Sequence, residues 1–595
     1  MHGRNLSVTN TVGNALSAQT DTSAARTAEF SAMLEGRAQP TRGARNLFGP
    51  IRSADMFSAC DRMRPGQVEA SVRVLMRRLS IRMRRGYRWP DVLAGAREAE
   101  DNPNLPSGYT YLLQLIAHDI VDSTISLAKG AGINFGFANA RRMPLSLETI
   151  YGGGPDVSPQ AYEFTADHHG STGLVPSTRL RVGRLQNSSG STQGCPFLDI
   201  GRAAPRDPAD GGLQGAGDDR LLTEVLIADA RNDTHALLSQ MTVLFHRLHN
   251  KIDDMLAAVQ PGQGSGIDAS AASLAFKRYI CARIAVTLIY RRILVDDVLQ
   301  RVLHPLVYKR YVIDGQSPLD TEPGVPLEFS HGAYRFGHAM VRSAYRVNSN
   351  ETIETQFALR LSAQASPQFV PVTENWRVDW ARFFDLGETQ PNLSRRIGPT
   401  FSGVLDSESR FPALGNDDAT GLANRDLVSA CYAGCWSVPM LFAKLKDGPL
   451  RDLIPDFRVW QSPISAWLGE GSTGGAEPFE PRDVNDLVCD PPLPFFVLFE
   501  AARSDDGLTP TPTGGGRRLG PIGSIIVAET VFGAMRNHPV AFEDANPDLR
   551  GKLEAACAAL VNSRAVLAPL ADIKTMSDLV RFMVANGAFG PTGPN

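Results

Sequence analysis

Three stretches of this chain place reactive side chains at spacings that could do chemistry. In LQLIAHDI, residues 113–120, Gln114 and His118 stand four apart. A helix would put both on one face of an otherwise apolar segment, where two polar groups without partners are costly. In DARNDTHALLSQMTVLFHRLHNKI, residues 229–252, Arg231 sits in a polar turn. It opens a helix whose one face is Leu237, Leu238, Met241, Leu244, Phe245 and Leu248. In LEFSHGAYRFGHAMVRSAYRVN, residues 327–348, Arg335 and His338 lie three apart beside Phe336, Met340 and Val341.

The set comprises a histidine with a glutamine on one helix, an arginine at the head of a second, and a further histidine on a third. A haem needs such a set: one neutral imidazole to ligate iron, and a base with a cation over the other face. The elements that would position it have helical periodicity, clearest over 220–257, 270–312, 328–346, 424–446 and 522–536, so the expected fold is mainly α with very little β. Gly/Asp/Pro-rich stretches at 204–219, 261–268, 470–482 and 504–518 read as surface loops. Residues 1–45 lack apolar periodicity and read as a disordered arm, 46–585 as a single domain, and 586–595 as a loose tail.

Composition narrows the classes further. At 43% hydrophobic and 21% charged the 595 residues are ordinary globular composition, and a formal charge of −3 argues against a general nucleic-acid binder. No apolar run reaches a membrane span, and the start MHGRNLSVTN lacks the apolar core of a signal peptide. A cytoplasmic location is the default expectation, with export by a non-classical route the alternative. Seven cysteines without a CxxC pair imply neither a disulfide framework nor a zinc site.

Several motifs, in order, resemble the bacterial branch of the animal-type haem peroxidase family, within the peroxidase–cyclooxygenase superfamily. They are DNPNLPSGYTYLLQLIAHDI, LETIYGGGP, APRD, DARNDTHALLSQMTVLFHRLHN, PLEFSHGAYRFGHAMVR and GGGRRLGPIGSIIVAE, spanning about 100 to 540. The resemblance implies a large helical fold with haem buried between core helices. It implies a peroxidase that uses hydrogen peroxide to oxidise small organic donors through a ferryl species, biosynthetic tailoring included. A non-catalytic haem-fold protein for binding or adhesion, and a haloperoxidase, are the alternatives.

Carried over by position, His118 resembles the distal acid–base histidine, Gln114 the residue holding the distal water or halide, and Arg231 the distal arginine that stabilises the breaking peroxide. His338 resembles the proximal iron ligand and Arg335 the arginine of RxGH, where cyclooxygenases have a radical-forming tyrosine. Asp426, in LANRDLV, falls where the family places the acceptor of the proximal histidine's N–H.

Departures from the pattern carry information too. The family's two haem-linking carboxylates are replaced by Ala117 and Thr234, which implies haem b held without a covalent link. A calcium site would use Asp119, Ser146 and Glu148, but the last two replace aspartates and Arg142 replaces a threonine, which weakens the site. Ser429 stands where an arginine usually meets a haem propionate, and SACYAGCWSVP follows in place of the usual Gly- and Arg-rich turn. Less positive charge near haem implies a low potential, with organic donors favoured over chloride.

The remaining candidates have plainer readings. His249, in RLHN, reads as structural, and His168 with His169 as a solvated loop pair. Cys431 and Cys435 read as buried thiols, and the basic run 73–89 as a solvated face or a support for haem propionates.

Overall fold

In the computed structural model the described residues are 45–60, 63–64, 67–68, 70–84, 101–122, 139–141, 143–166, 174–203, 224–257, 271–320, 322–349, 352–363, 370–406, 421–469, 479–504, 506–511, 515–536, 568–587 and 589. The proposed arm up to residue 44, Arg142, His168, His169, the end of the basic run and most of the glycine-rich loops lie outside them.

The protein is mainly helical. The central helices are Gly108–Ile120, Ala236–Ala257, Ala271–Ile293, Leu422–Ala433, Leu493–Arg503 and Pro521–Arg536. One continuous buried apolar cluster joins them, running from Leu47 to Met583. The named strands among the described residues form five two-stranded antiparallel ladders, with isolated bridges besides. One of them, Asp101–Pro106 with Leu393–Arg395, leads directly into the helix that holds Gln114 and His118. That helix begins at a glycine for a steric reason. A Cβ on Gly108 would lie 2.5 Å from the Phe383 carbonyl oxygen and 2.6 Å from the Phe384 ring, so any larger residue would push the helix off its seat.

Where periodicity predicts long helices, the structure interrupts them for identifiable reasons. The 220–257 helix starts only at Ala236, because Asp229 accepts a hydrogen bond from the Arg231 amide and caps a separate 3-10 turn, Ala230–Asp233. The 424–446 stretch breaks at Gly434, whose φ of 69° ends one helix, and resumes at Val438 with Pro439 in the first turn. The 328–346 stretch is a π turn, Glu328–Gly332, followed by an eight-residue 3-10 segment, Ala333–Met340, and a strand, Ala344–Arg346. A 3-10 run of that length is uncommon. It is held from outside: a Cβ on Gly332 would come within 2.5 Å of the Leu493 side chain, and buried Glu328 accepts hydrogen bonds from the amides of Leu47 and Trp436. His338 rides on this irregular segment.

No helix among the described residues is long and apolar enough to cross a membrane. Cys60, Cys195, Cys281, Cys431 and Cys435 are buried free thiols and Cys489 is an exposed one.

Candidate active site

The helix Gly108–Ile120 packs against the 3-10 segment Ala333–Met340, so the segments carrying His118 and His338 are neighbours. Each histidine is held through Nδ1 by a residue far away in sequence. His338 Nδ1 lies 2.6 Å from Asp426 Oδ2, on the helix Leu422–Ala433. A carboxylate only accepts, so Nδ1 carries the proton and Nε2 the lone pair. Arg335 stands 3.6 Å from the other oxygen of Asp426 and donates from Nε to the Ser330 carbonyl at 2.8 Å. Asp426 therefore serves two cationic or N–H partners, which spreads its charge rather than giving all of it to the histidine. Behind it, the Ser429 hydroxyl donates to the Asp426 carbonyl at 3.2 Å and lies 3.4 Å from His331 Nδ1.

His118 is fixed by Asn232, a residue that composition and periodicity did not single out. Asn232 Nδ2 donates to the Thr149 carbonyl at 3.1 Å and to its hydroxyl at 3.1 Å. The carbonyl can only accept, so the amide oxygen of Asn232 must face His118, 2.9 Å from Nδ1. His118 is thereby an Nδ1–H tautomer with a basic Nε2. Burial, with the Arg231 charge next, pushes its pKa down to about 4, so it is neutral at ordinary pH.

Arg231, expected as a cation over the reacting group, has its guanidinium bonded within the protein. Four hydrogen bonds commit it: Nε and Nη2 to Asp229 at 3.0 and 2.7 Å, Nη1 to the Val121 carbonyl at 2.7 Å, and Nη2 to the His118 carbonyl at 2.9 Å. The carbonyls are those left over at the C-terminus of the His118 helix, where a cation is favoured. Arg141 joins it, donating to the His118 carbonyl at 2.8 Å and pairing with Asp229. Burial would raise the Asp229 carboxyl, but the two arginines outweigh it and hold the group far below the usual carboxylate range.

Gln114 is also more engaged than a residue left to hold water. Its Oε1 lies 2.9 Å from His235 Nε2, and its Nε2 is 3.4 Å from the Thr234 hydroxyl. His235 Nδ1 accepts from the Leu238 amide, which leaves Nε2 to donate and fixes the Gln114 amide in one orientation. The only local sign of Asn232 and His235 was their place beside Arg231 in DARNDTH.

Among the described residues, Asp119 and Ser146, two of the calcium candidates, have hydrogen-bond partners within the protein. Asp119 is buried and accepts from the amides of Leu147 and Thr149 at 3.0 and 3.3 Å, and burial raises its pKa to about 6. The Ser146 hydroxyl donates to the Met143 carbonyl. The buried Arg291 donates to the Leu145 carbonyl at 2.7 Å and brings a positive charge to the loop that a cation would have to share. No cluster of three metal-binding side chains exists among the described residues. Glu148 adds its negative charge near Asp119, and Arg291 sets a positive one against it.

The rebuilt stretch after Ser429 is a packing base for the beginning of the described chain. Trp436 Nε1 donates to the Leu47 carbonyl at 2.7 Å, Asn46 donates to the Gly434 carbonyl at 2.9 Å, and the Phe57 amide donates to Cys435.

Residues 180–379, the stretch holding Arg231, Arg335 and His338, match the family described as animal haem peroxidase. The match spans about a third of the chain. No curated protein matches the chain. Among solved structures, peroxidase A from Dictyostelium discoideum is similar at 13% identity and a TM-score of 0.49, covering 90% of this chain and 94% of that one. A fatty acid alpha-dioxygenase from Arabidopsis thaliana is similar at 11% identity and a TM-score of 0.43, covering 84% and 76%. That from Oryza sativa is similar at 11% identity and 0.46, covering 94% and 89%.

Proposed function

We propose that the protein is a haem-dependent peroxidase that reduces hydrogen peroxide and oxidises small organic donors. The observation that carries this reading is the pair of histidines on adjoining segments, each with Nδ1 protonated and tied down and Nε2 left basic. One is tied to a carboxylate, as suits a metal ligand whose basicity must be sustained. The other is tied to a neutral amide, as suits a base that must stay uncharged until it acts.

In this reading His338 Nε2 would hold the iron, with Asp426 orienting the ring. When bound, haem supplies the iron that receives peroxide and the oxidising equivalents passed to the donor. His118 Nε2 takes the proton from the near oxygen of peroxide and returns it to the departing oxygen. Asn232 keeps the ring from turning over, so the lone pair stays on the reacting nitrogen. Arg231 contributes by holding the helix end and by keeping His118 neutral through its charge. Gln114, oriented by His235, lies one helical turn before His118. Organic donors remain favoured over chloride, because a carboxylate behind the proximal histidine lowers the iron potential. Arg335 offsets part of that effect.

The absorbance spectrum of the purified protein tests the proposal. A Soret band that shifts on adding peroxide, with phenols or aromatic amines then oxidised faster than chloride, is the expected outcome. A protein that takes up no haem, or whose band ignores peroxide, sinks it.

The mode of attachment is a separate prediction. Ala117 has no carboxylate, and the Thr234 hydroxyl is engaged with Gln114. Acid–acetone should therefore extract unmodified haem b, and denaturing mass spectrometry should find an apoprotein of unshifted mass. Haem retained on the polypeptide would show a covalent link through some other side chain.

A further inference from the structure

His249, in the RLHN motif, has no part in the site above, yet it is fully buried in a cluster of buried phenols. Its Nε2 lies 3.0 Å from the Thr178 carbonyl, which can only accept, so Nε2 carries the ring proton and Nδ1 the lone pair. Tyr151 Oη stands 3.2 Å from that Nδ1 and must donate to it. Tyr151 and His249 both have 0% exposure, so no solvent separates the phenol from its acceptor.

Two more phenols adjoin the pair. Tyr162 and Tyr279 share a hydrogen bond of 3.0 Å between their hydroxyls, and Tyr162 reaches the Tyr151 carbonyl at 2.9 Å. The Tyr279 ring lies 6.3 Å from that of Tyr151 and 5.9 Å from that of Tyr162. The buried Arg283 guanidinium sits 4.8 Å over the Tyr151 ring. The cluster is also tied to the candidate site. Thr149, two residues before Tyr151 in the same short helix, Glu148–Tyr151, holds the Asn232 amide that fixes His118.

A phenol that loses an electron becomes a strong acid, and its proton must leave. In a dry site only a base already in place can take that proton, and His249 Nδ1 is such a base.

We propose that Tyr151 and His249 form a redox-active pair, in which Tyr151 gives up one electron as its hydroxyl proton passes to His249 Nδ1. The inference rests on the peroxidase reading, because hydrogen peroxide is the oxidant. Conversion of one peroxide to two waters takes up two electrons and two protons. Tyr151 supplies one of the electrons to the haem site. Its O–H bond breaks, leaving a neutral phenoxyl radical beside an imidazolium. An organic donor then returns an electron, the proton moves back from His249 to Tyr151, and the donor is left oxidised by one electron. Over a full turnover two donor molecules each lose one electron and one proton, which balances the two waters. The pair gives the oxidising equivalent a place in the protein apart from the haem site.

Rapid freeze-quench electron paramagnetic resonance after mixing the full-length protein with hydrogen peroxide tests this, with absorbance recorded on the same samples. The expected result is a tyrosyl radical that shows nitrogen coupling in protein labelled with 15N-histidine. The signal should disappear in Tyr151→Phe, and the coupling should disappear in His249→Gln, a variant that keeps an acceptor in place without a basic nitrogen. An absorbance change on peroxide with the same radical in Tyr151→Phe as in the parent would overturn the pair and leave the peroxidase reading intact. No absorbance change in any of the proteins would overturn both, because the oxidant would then never be delivered.

Discussion

Replacing His338 by alanine is expected to abolish high-affinity haem binding, with loss of the Soret band and of haem retained through gel filtration. The basis is that a single imidazole on the segment Ala333–Met340 is held by Asp426 at 2.6 Å with Nε2 left basic. The nearest histidine in sequence, His331, is buried, and its Nδ1 faces Ser429, so it does not substitute. Added imidazole should restore part of the band if the fold survives, which separates loss of a ligand from loss of structure. Asp426→Ala keeps the ligand but removes the partner, and should cost roughly 10- to 100-fold in haem affinity or activity. A haem-replete His338→Ala protein with an unchanged spectrum would refute the ligand assignment.

Replacing His118 by alanine should leave haem bound but slow the reaction with peroxide by roughly 10²–10⁴-fold, the usual worth of a positioned acid–base group. Stopped-flow mixing measures it directly. The pH profile gives a second check with a definite sign. With its pKa pushed down to about 4, His118 is a neutral base across neutral pH, and the rate should fall only as pH drops through about 4. Asn232→Leu should slow the same step by less, because the ring can then adopt the other tautomer for part of the time. Unchanged peroxide kinetics in His118→Ala would remove His118 from the reaction.

The two histidines differ in how much of their setting could be read in advance. The spacing of Gln114 and His118 in LQLIAHDI places them on one helical face whatever else the chain does, because the helix period is local. The partner of His338 was reachable only through the family pattern, since Asp426 lies 88 residues away. Asn232 and His235 were missed as positioning residues. Their targets, His118 and Gln114, are 114 and 121 residues distant, and nothing in DARNDTH says which way its side chains turn.

Arg231 shows the same limit for a residue whose type was read correctly. Its charge and place at the head of a helix were plain, but its long side chain turns to the orphan carbonyls of a different helix and to Asp229. Residues 429–438 show it again. Their composition says that a Gly- and Arg-rich turn is gone, but not that Trp436 and Gly434 bond to the segment around Leu47, 389 positions from Trp436.

The sequence by itself therefore determined the helical class and the local spacing of the candidate side chains, because periodicity acts within a few residues. Only the tertiary structure decided which partner each histidine nitrogen meets, which carbonyls Arg231 binds, and that Arg291 stands beside Leu145. Those outcomes depend on which donors and acceptors meet in the folded core. A buried polar group must take whatever partner the packing brings to it.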